Sequence, residues 1–207
     1  MAESLPMTTR VFLVDDQPQV VKALARVLAA DGFEPVAFTS PYAFLDGPHA
    51  EAPGCLVLDL AMPGMDGLAL QDALRARGSL LPLIFLTGYG DLASGVAAMK
   101  QGAFDFLSKP LDAERLCAAV GAALARNATL RATAARRMHA LRVVASLTPR
   151  EREVMGLIVE GKLNKQVAAL LGTVEKTVKS QRASVMRKTG ADSFAALVRL
   201  WDAARPS

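Results

Sequence analysis

The chain has 207 residues, 52% of them apolar and 21% charged, with a formal net charge of +4. This length supports one or two domains with a substantial core, and this composition excludes general disorder. Residues 1–9 lack the charged start and apolar run of a signal peptide, and no apolar stretch is long enough to span a bilayer, so the expectation is a soluble cytoplasmic protein with no membrane partner.

The charge is unevenly placed. Residues 1–125 hold 8 Lys+Arg against 14 Asp+Glu, a balance of −6, whereas residues 126–207 hold 16 against 6, a balance of +10. A regulatory half attached to a nucleic-acid-binding half would show this asymmetry, as would two solvated surfaces of opposite sign. Cys55 and Cys117 have neither disulfide-framework nor metal-knuckle spacing and read as buried free thiols. His49 and His139 lie near no other metal-binding residues, which argues against zinc and serine–histidine chemistry.

In chain order, residues 10–15 read as an apolar strand ending in Asp15-Asp16, and Val20, Val21, Leu24, Val27 and Leu28 recur at helical spacing before Gly32. Glu34 to Phe38 reads as a second strand and Tyr42 to Leu45 as a short helix. The apolar run Cys55 to Leu58 has the pattern of a strand buried on both faces; it stops at Asp59 and a loop ending in Gly67. Helix is then expected over Leu68 to Ala76, strand over Leu83 to Leu86, helix over Leu92 to Gln101, strand over Phe104 to Leu107, and helix from Ala113 onward. Such alternation predicts a parallel sheet with helices on both faces, and ligands of such sheets bind at the carboxyl ends of the strands. There Asp15, Asp16, Asp59, Thr87 with Gly88, and Lys109 before Pro110 would meet.

Residues 118–145 are rich in Ala, Arg and Leu and continue the helical pattern into a connector. It reads as a surface helix packed on its own domain or, more weakly, as a self-pairing helix, because Asn127 and Arg137 interrupt its apolar seam. Thr148, Pro149 and Glu151 then form a capping box that opens a helix, and Gly161 ends it. A second helix over Asn164 to Leu171, a turn at Gly172-Thr173, and a third helix from about Val174 to Lys188 have the spacing of a helix-turn-helix, followed by a helix over Phe194 to Ala203. On the third helix Val178, Gln181 and Val185 face one way, and Lys176, Lys179, Ser180, Ala183 and Arg187 another. That basic face is either merely solvated or set to enter a major groove, with Lys165 as a phosphate contact.

Three acids in one crevice repel one another, a cost that a hard divalent cation such as Mg2+ removes. A carboxylate can accept a phosphoryl group, and Asp59 is the central candidate; Lys109 would bind a phosphoryl oxygen and Thr87 would donate to another. Residues 10–126 resemble the receiver domain of bacterial two-component response regulators, on Asp15-Asp16, Asp59 with Met62-Pro63-Gly64-Met65-Asp66-Gly67, Thr87-Gly88 and Lys109-Pro110. Residues 147–203 resemble the LuxR-type helix-turn-helix, on Leu147-Thr148-Pro149-Arg150-Glu151, Asn164-Lys165 and Thr177-Val178-Lys179. Together they look like a NarL/FixJ-type regulator, and Thr87-Gly88-Tyr89-Gly90-Asp91 with Gly102-Ala103-Phe104-Asp105-Phe106 leans toward the FixJ branch.

The resemblance implies a flavodoxin-like α/β receiver with a five-stranded parallel sheet of order 2-1-3-4-5 over residues 8–126, a helical connector over 127–145, and a small all-α DNA-binding domain over 146–207. It implies a transcriptional regulator rather than an enzyme. A sensor histidine kinase would phosphorylate Asp59, with Mg2+ held by Asp16, Asp59 and the Ala61 carbonyl and by Asp15 through water. Phe106 and Thr87 would form the switch. Lys165, Lys176, Thr177, Lys179, Ser180, Arg182, Ala183 and Arg187 are the expected contacts to promoter double-stranded DNA, bound as a homodimer once phosphorylated, and RNA polymerase is admitted as a further partner. The third helix departs from the family pattern at Thr173, Val174, Gln181 and Ala183, and the second at Leu163; Thr173 is expected to cap the third helix one residue early. The competing readings are a constitutive DNA binder with a protein-sensing receiver, and an aspartyl phosphatase. The second would need a general-acid Asp where Ala61 stands.

Overall fold

The computed structural model describes residues 9–88 and 98–205. They divide into two compact units, residues 1–131 and 132–207. In the first, strands β1 (Arg10–Val14), β2 (Glu34–Phe38), β3 (Cys55–Asp59), β4 (Leu83–Thr87) and β5 (Asp105–Ser108) form one parallel sheet of order β2-β1-β3-β4-β5. Strand periodicity sends alternate side chains to opposite faces. Phe12, Leu56, Leu58 and Phe85 enter one apolar layer and Val11, Leu13, Val57 and Ile84 the other. Helix α1 (Pro18–Ala30) covers the second layer through Val21, Leu24 and Leu28, and α3 (Gly67–Ala76) covers the first through Leu70 and Leu74. Between them α2 (Pro41–Leu45) and a single 3-10 turn (Pro48–Glu51) seal one margin, where His49 packs among Phe12, Phe38 and Phe44. The helix expected over residues 92–101, and Tyr89-Gly90-Asp91 of the FixJ-like motif, lie wholly or largely outside the described residues.

Element ends moved by a residue where a polar side chain joins the ladder. Strand β3 includes Asp59, paired with Leu86, and β5 runs over Asp105–Ser108, because Ile84 pairs with Asp105 and Phe104 packs with the second layer before the strand begins. Cys55 is buried, and burial pushes its thiol up to about 12, so it acts as a packing group. Cys117 is only half-buried, contrary to expectation; that burial, followed by Asp31, raises its pKa.

Helix α4 (Ala113–Ala145) follows β5 and closes the second layer with Leu116, Val120, Ala123 and Leu124. The first unit runs to residue 131 and includes Asn127. That residue is fully buried, accepts from the Gly54 N–H at 3.1 Å, and donates to the Leu80 carbonyl at 2.7 Å. The residue that interrupts the apolar seam is therefore a polar rivet between α4 and the lead-ins to β3 and β4.

The second unit contains α5 (Pro149–Val159), α6 (Asn164–Leu170), α7 (Glu175–Thr189) and α8 (Phe194–Ala204) around Val154, Ile158, Val167, Val178, Val185 and Leu197. The Thr148 capping box opens α5 as the sequence predicts. The cap of α7 differs: Val174 occupies it in an extended conformation with no side-chain hydrogen bond, while the Thr173 N–H bonds back to the Ala168 carbonyl and closes α6. Thr173 therefore belongs to the turn, which Gly172 makes at φ +59°. Among the described residues no helix is long and apolar enough to cross a membrane.

Replacing Asn127 with Ala leaves a buried N–H and a buried carbonyl unpaired and is expected to destabilise the first unit by roughly 2–4 kcal/mol. Urea unfolding of the full chain followed by far-UV circular dichroism measures it; an unchanged first transition would show that water replaces the rivet at no cost.

Candidate functional site

Strands β1, β3 and β4 deliver their last residues to one edge, and the loop after β5 crosses back over them. Asp15 and Asp59 are 1% and 6% exposed, so both carboxylates must find partners inside the protein. Lys109 supplies the shared one: its Nζ donates to Asp59 Oδ1 at 2.7 Å and to Asp15 Oδ2 at 3.1 Å. The remaining oxygens accept backbone donors, Asp15 Oδ1 from the Gln17 N–H at 2.9 Å and Asp59 Oδ2 from the Ala61 N–H at 3.1 Å. Partial burial works against the Lys109 charge, but the hydrogen bonds to Asp59 and Asp15 outweigh it and raise its pKa, so the ammonium stays protonated.

Asp16 is half-buried beside this group, and Thr87 is buried at the end of β4. The Lys109 N–H bonds to the Thr87 carbonyl at 2.8 Å, which ties the lysine loop to that strand end. Phe106 is half-buried against the first apolar layer and pairs in register with Phe85. Among the described residues a Cβ added at Gly88 would meet nothing within 4 Å. At Gly67 a Cβ would lie 2.7 Å from the Asp59 carbonyl oxygen and 2.9 Å from the Phe85 ring; glycine is what lets α3 start against the end of β3.

Asp15 and Asp59 share one ammonium here and Asp16 follows directly in the chain, which leaves formal negative charge and an all-oxygen donor set. That chemistry fits magnesium. Among the described residues no three acid, histidine or cysteine side chains form a ready-made cage, so water, a backbone carbonyl and an oxygen of a bound group would complete its shell.

In the second unit Lys165, Lys176, Thr177, Lys179, Ser180, Ala183 and Arg187 are all exposed, and all but Lys165 stand on α7. Lys179 also pairs with Glu175 one turn back, at 3.3 Å. Arg182 stands apart: it is half-buried and donates to Asn164 Oδ1 at 3.4 Å, bracing α6 against α7. The buried Val178 and Val185 fix which side of α7 faces out.

Sequence reasoning gave Glu151 a capping role only, and the structure gives it a second. Its carboxylate is 4% exposed and accepts from Lys188 Nζ at 2.8 Å, Ser184 Oγ at 2.7 Å and the Thr148 N–H at 2.8 Å. Ser184 and Lys188, four apart on the inner side of α7, were the available signal. One acid thus starts α5 and clamps the basic helix.

Residues 11–121 match the family described as response regulator receiver domain, and residues 145–201 match bacterial regulatory proteins of the luxR family. The transcriptional regulatory protein FixJ of Azorhizobium caulinodans is 42% identical over 97% of this chain and 93% of its own length. Nodulation protein W of Bradyrhizobium diazoefficiens is 41% identical over 92% and 84% of the two chains. Among solved structures, response regulator StyR superposes with a TM-score of 0.84 at 40% identity, covering 93% of this chain and 98% of its own. Full-length FixJ from B. japonicum gives 0.59 at 36% identity, covering 94% and 96%.

The Glu151 network makes an acid-labile clamp. Lys188, then Ser184 and the Thr148 N–H, hold the Glu151 carboxyl down at about 2, against an ordinary 4.5. A depressed folded-state pKa stabilises fully above the unfolded value, so this contribution is present above about pH 4.5 and lost as pH falls toward 2. Fluorescence of Trp201, the sole tryptophan, reports on this unit. Its unfolding midpoint should drop across that window in wild type and vary less with pH in Glu151→Gln, which should start lower at neutral pH; parallel pH profiles for the two proteins would exclude the clamp.

Proposed function

Because the chain belongs to the bacterial two-component response regulators, with a receiver domain joined to a LuxR-type DNA-binding domain, we propose that Asp59 is its phosphoacceptor and the exposed face of α7 its reader of promoter DNA. It is a phosphorylation-controlled transcriptional regulator. The observation that carries the site assignment is the Lys109 ammonium held between Asp59 and Asp15 at 2.7 and 3.1 Å.

The chemistry follows from that arrangement. A carboxylate oxygen of Asp59 forms a bond to phosphorus as the P–N bond of a phosphohistidine on the sensor kinase breaks, and the departing imidazole nitrogen takes up a proton. Lys109 is fully charged and within reach of the acceptor, so it offsets charge on the transferred oxygens. Thr87 would donate its hydroxyl to one of them, and glycine at position 88 presents no side chain to the entering group. Asp15, Asp16, Asp59 and the Ala61 carbonyl would hold magnesium, which when bound neutralises phosphoryl charge. Thr87 and Phe106, on neighbouring strands, form the switch. Phosphorylation promotes a homodimer whose two α7 helices meet two half-sites, with RNA polymerase as a further partner and the cytoplasm as its place of action.

Solution molar mass with magnesium and a beryllofluoride phosphoryl mimic tests the receiver half. Wild type should rise from monomer to dimer and Asp59→Asn should not respond; bound mimic with no change in mass would remove dimerisation from the proposal. For the DNA half, the double substitution Lys165→Ala, Lys176→Ala should weaken binding to all duplexes alike and reduce the slope of log affinity against log salt by about 2. An unchanged slope would place the phosphate contacts elsewhere.

A further inference from the structure

Helix α7 carries more polar side chains than it can aim at a duplex, and its rotation decides which of them meet base edges. Val178 and Val185 are fully buried and Glu151 holds Ser184 and Lys188, so that rotation is set. At about 100° per residue, Lys176, Ser180, Ala183 and Arg187 fall within about 40° of the line opposite Val178. All four are exposed. Thr177 and Lys179 stand about 80° to either side of that line.

The two mid-helix side chains best suited to read bases by paired hydrogen bonds are withdrawn from the outer line. Gln181, the type that recognises adenine, is half-buried. Arg182, the type that recognises guanine, is half-buried too and donates to Asn164 Oδ1 at 3.4 Å. Lys179 is paired with Glu175 at 3.3 Å. The middle of the outer line is left to Ser180 and Ala183, with Lys176 and Arg187 roughly 16 Å apart at its ends. Long side chains at the centre would hold the helix off the floor of a groove; these two let its backbone approach. A hydroxyl both donates and accepts, so Ser180 accommodates several bases. An alanine methyl does neither and gains only from apolar contact, and the apolar group that a base presents in the major groove is the 5-methyl of thymine.

Building on the assignment of α7 as the reader of promoter DNA, we propose that Ala183 is a specificity-determining residue and that the base it faces is thymine, recognised through its 5-methyl group. The operator half-site then contains a thymine fixed by contact between two methyl groups and by no hydrogen bond from residue 183. Lys176 and Arg187 anchor the helix at its ends, and Ser180 tolerates exchange of the base beside it.

Selection from a random duplex library by the full chain, in magnesium with beryllofluoride, yields the half-site. Each of its thymines is then replaced singly, in one half-site, by deoxyuridine, which removes only the methyl. At one position the replacement should weaken binding about fourfold, the worth of one buried methyl, and this loss should vanish in Ala183→Gly. Because the comparison is between two duplexes on the same protein, a lower helix stability in Ala183→Gly cancels. Ala183→Lys keeps good helix propensity at an exposed site, and a repeated selection should change that position from thymine to guanine while the others stay. A selection that enriches no sequence would remove the reader assignment and this inference with it. An enriched half-site in which no deoxyuridine costs affinity, in which the cost persists in Ala183→Gly, or in which Ala183→Lys selects the same base would overturn the inference alone.

Discussion

The carboxyl edge of the sheet depends on one ammonium. Asp15 and Asp59 are almost wholly removed from water, and two such charges side by side are unfavourable unless something between them is positive. Lys109 is that charge, and stripping a buried ion of its partner costs on the order of 3–5 kcal/mol. Its reach dictates topology. Asp15 follows β1 and Asp59 ends β3, adjacent strands, whereas Lys109 follows β5 at the far side of β4. With β4 between them and the Lys109 backbone held to Thr87, the lysine side chain reaches both acids. Local pattern builds the strands, and this ion bridge rewards one order of them.

The same principle governs the second unit. Glu151 is as buried as Asp59, and it too is satisfied by a lysine together with a backbone N–H. Its partners lie on α5's own cap and on α7, so the charge that would be costly alone sets the rotation of the basic helix. Val178 and Val185 fill the core on the inner side, Glu151 holds Ser184 and Lys188, and the outer side is left to Lys176, Ser180 and Ala183. The cap at Val174 contributes no hydrogen bond, so the start of α7 relies on this packing more than a Ser-capped helix would.

Most of the architecture was legible because it rests on periodicity and punctuation. The run Cys55–Leu58, the spacing of Val21, Leu24 and Leu28, and the Thr148-Pro149-Glu151 start are local signals, and each led to the element found. The acidic cluster was legible for another reason: in a parallel sheet the strand ends share one edge, so Asp15, Asp59, Thr87 and Lys109 converge once the alternation is seen. What escaped was long-range. Asn127 read as a defect in an apolar seam because its partners, Gly54 and Leu80, lie 73 and 47 residues away in sequence. Glu151 satisfied a local motif so completely that nothing prompted a search for Ser184 and Lys188, and Arg182 reads as one more basic residue until Asn164 is seen beside it. The cap of α7 was misplaced because a threonine is the better capping side chain, yet the positive φ of Gly172 commits the Thr173 N–H to closing α6.

The incomplete neutralisation at the acidic edge is what makes it usable. One ammonium between Asp15 and Asp59 leaves net negative charge, a balance that a divalent cation would complete. A phosphoryl group on Asp59 would replace a singly charged acceptor by a doubly charged one and draw Lys109 toward it, away from Asp15. The Lys109 N–H is bonded to the Thr87 carbonyl, and Thr87 and Ser108 are register partners, so a pull on the lysine loads β4 and β5 together. Phe106 is two residues back on β5, half-buried and in register with Phe85. The new charge can shift the protein only by the difference between its interactions in two states. Such a difference would run through β4 and β5, to which the lysine backbone is tied, and also through Asp15, which would lose its ammonium while keeping the Gln17 N–H.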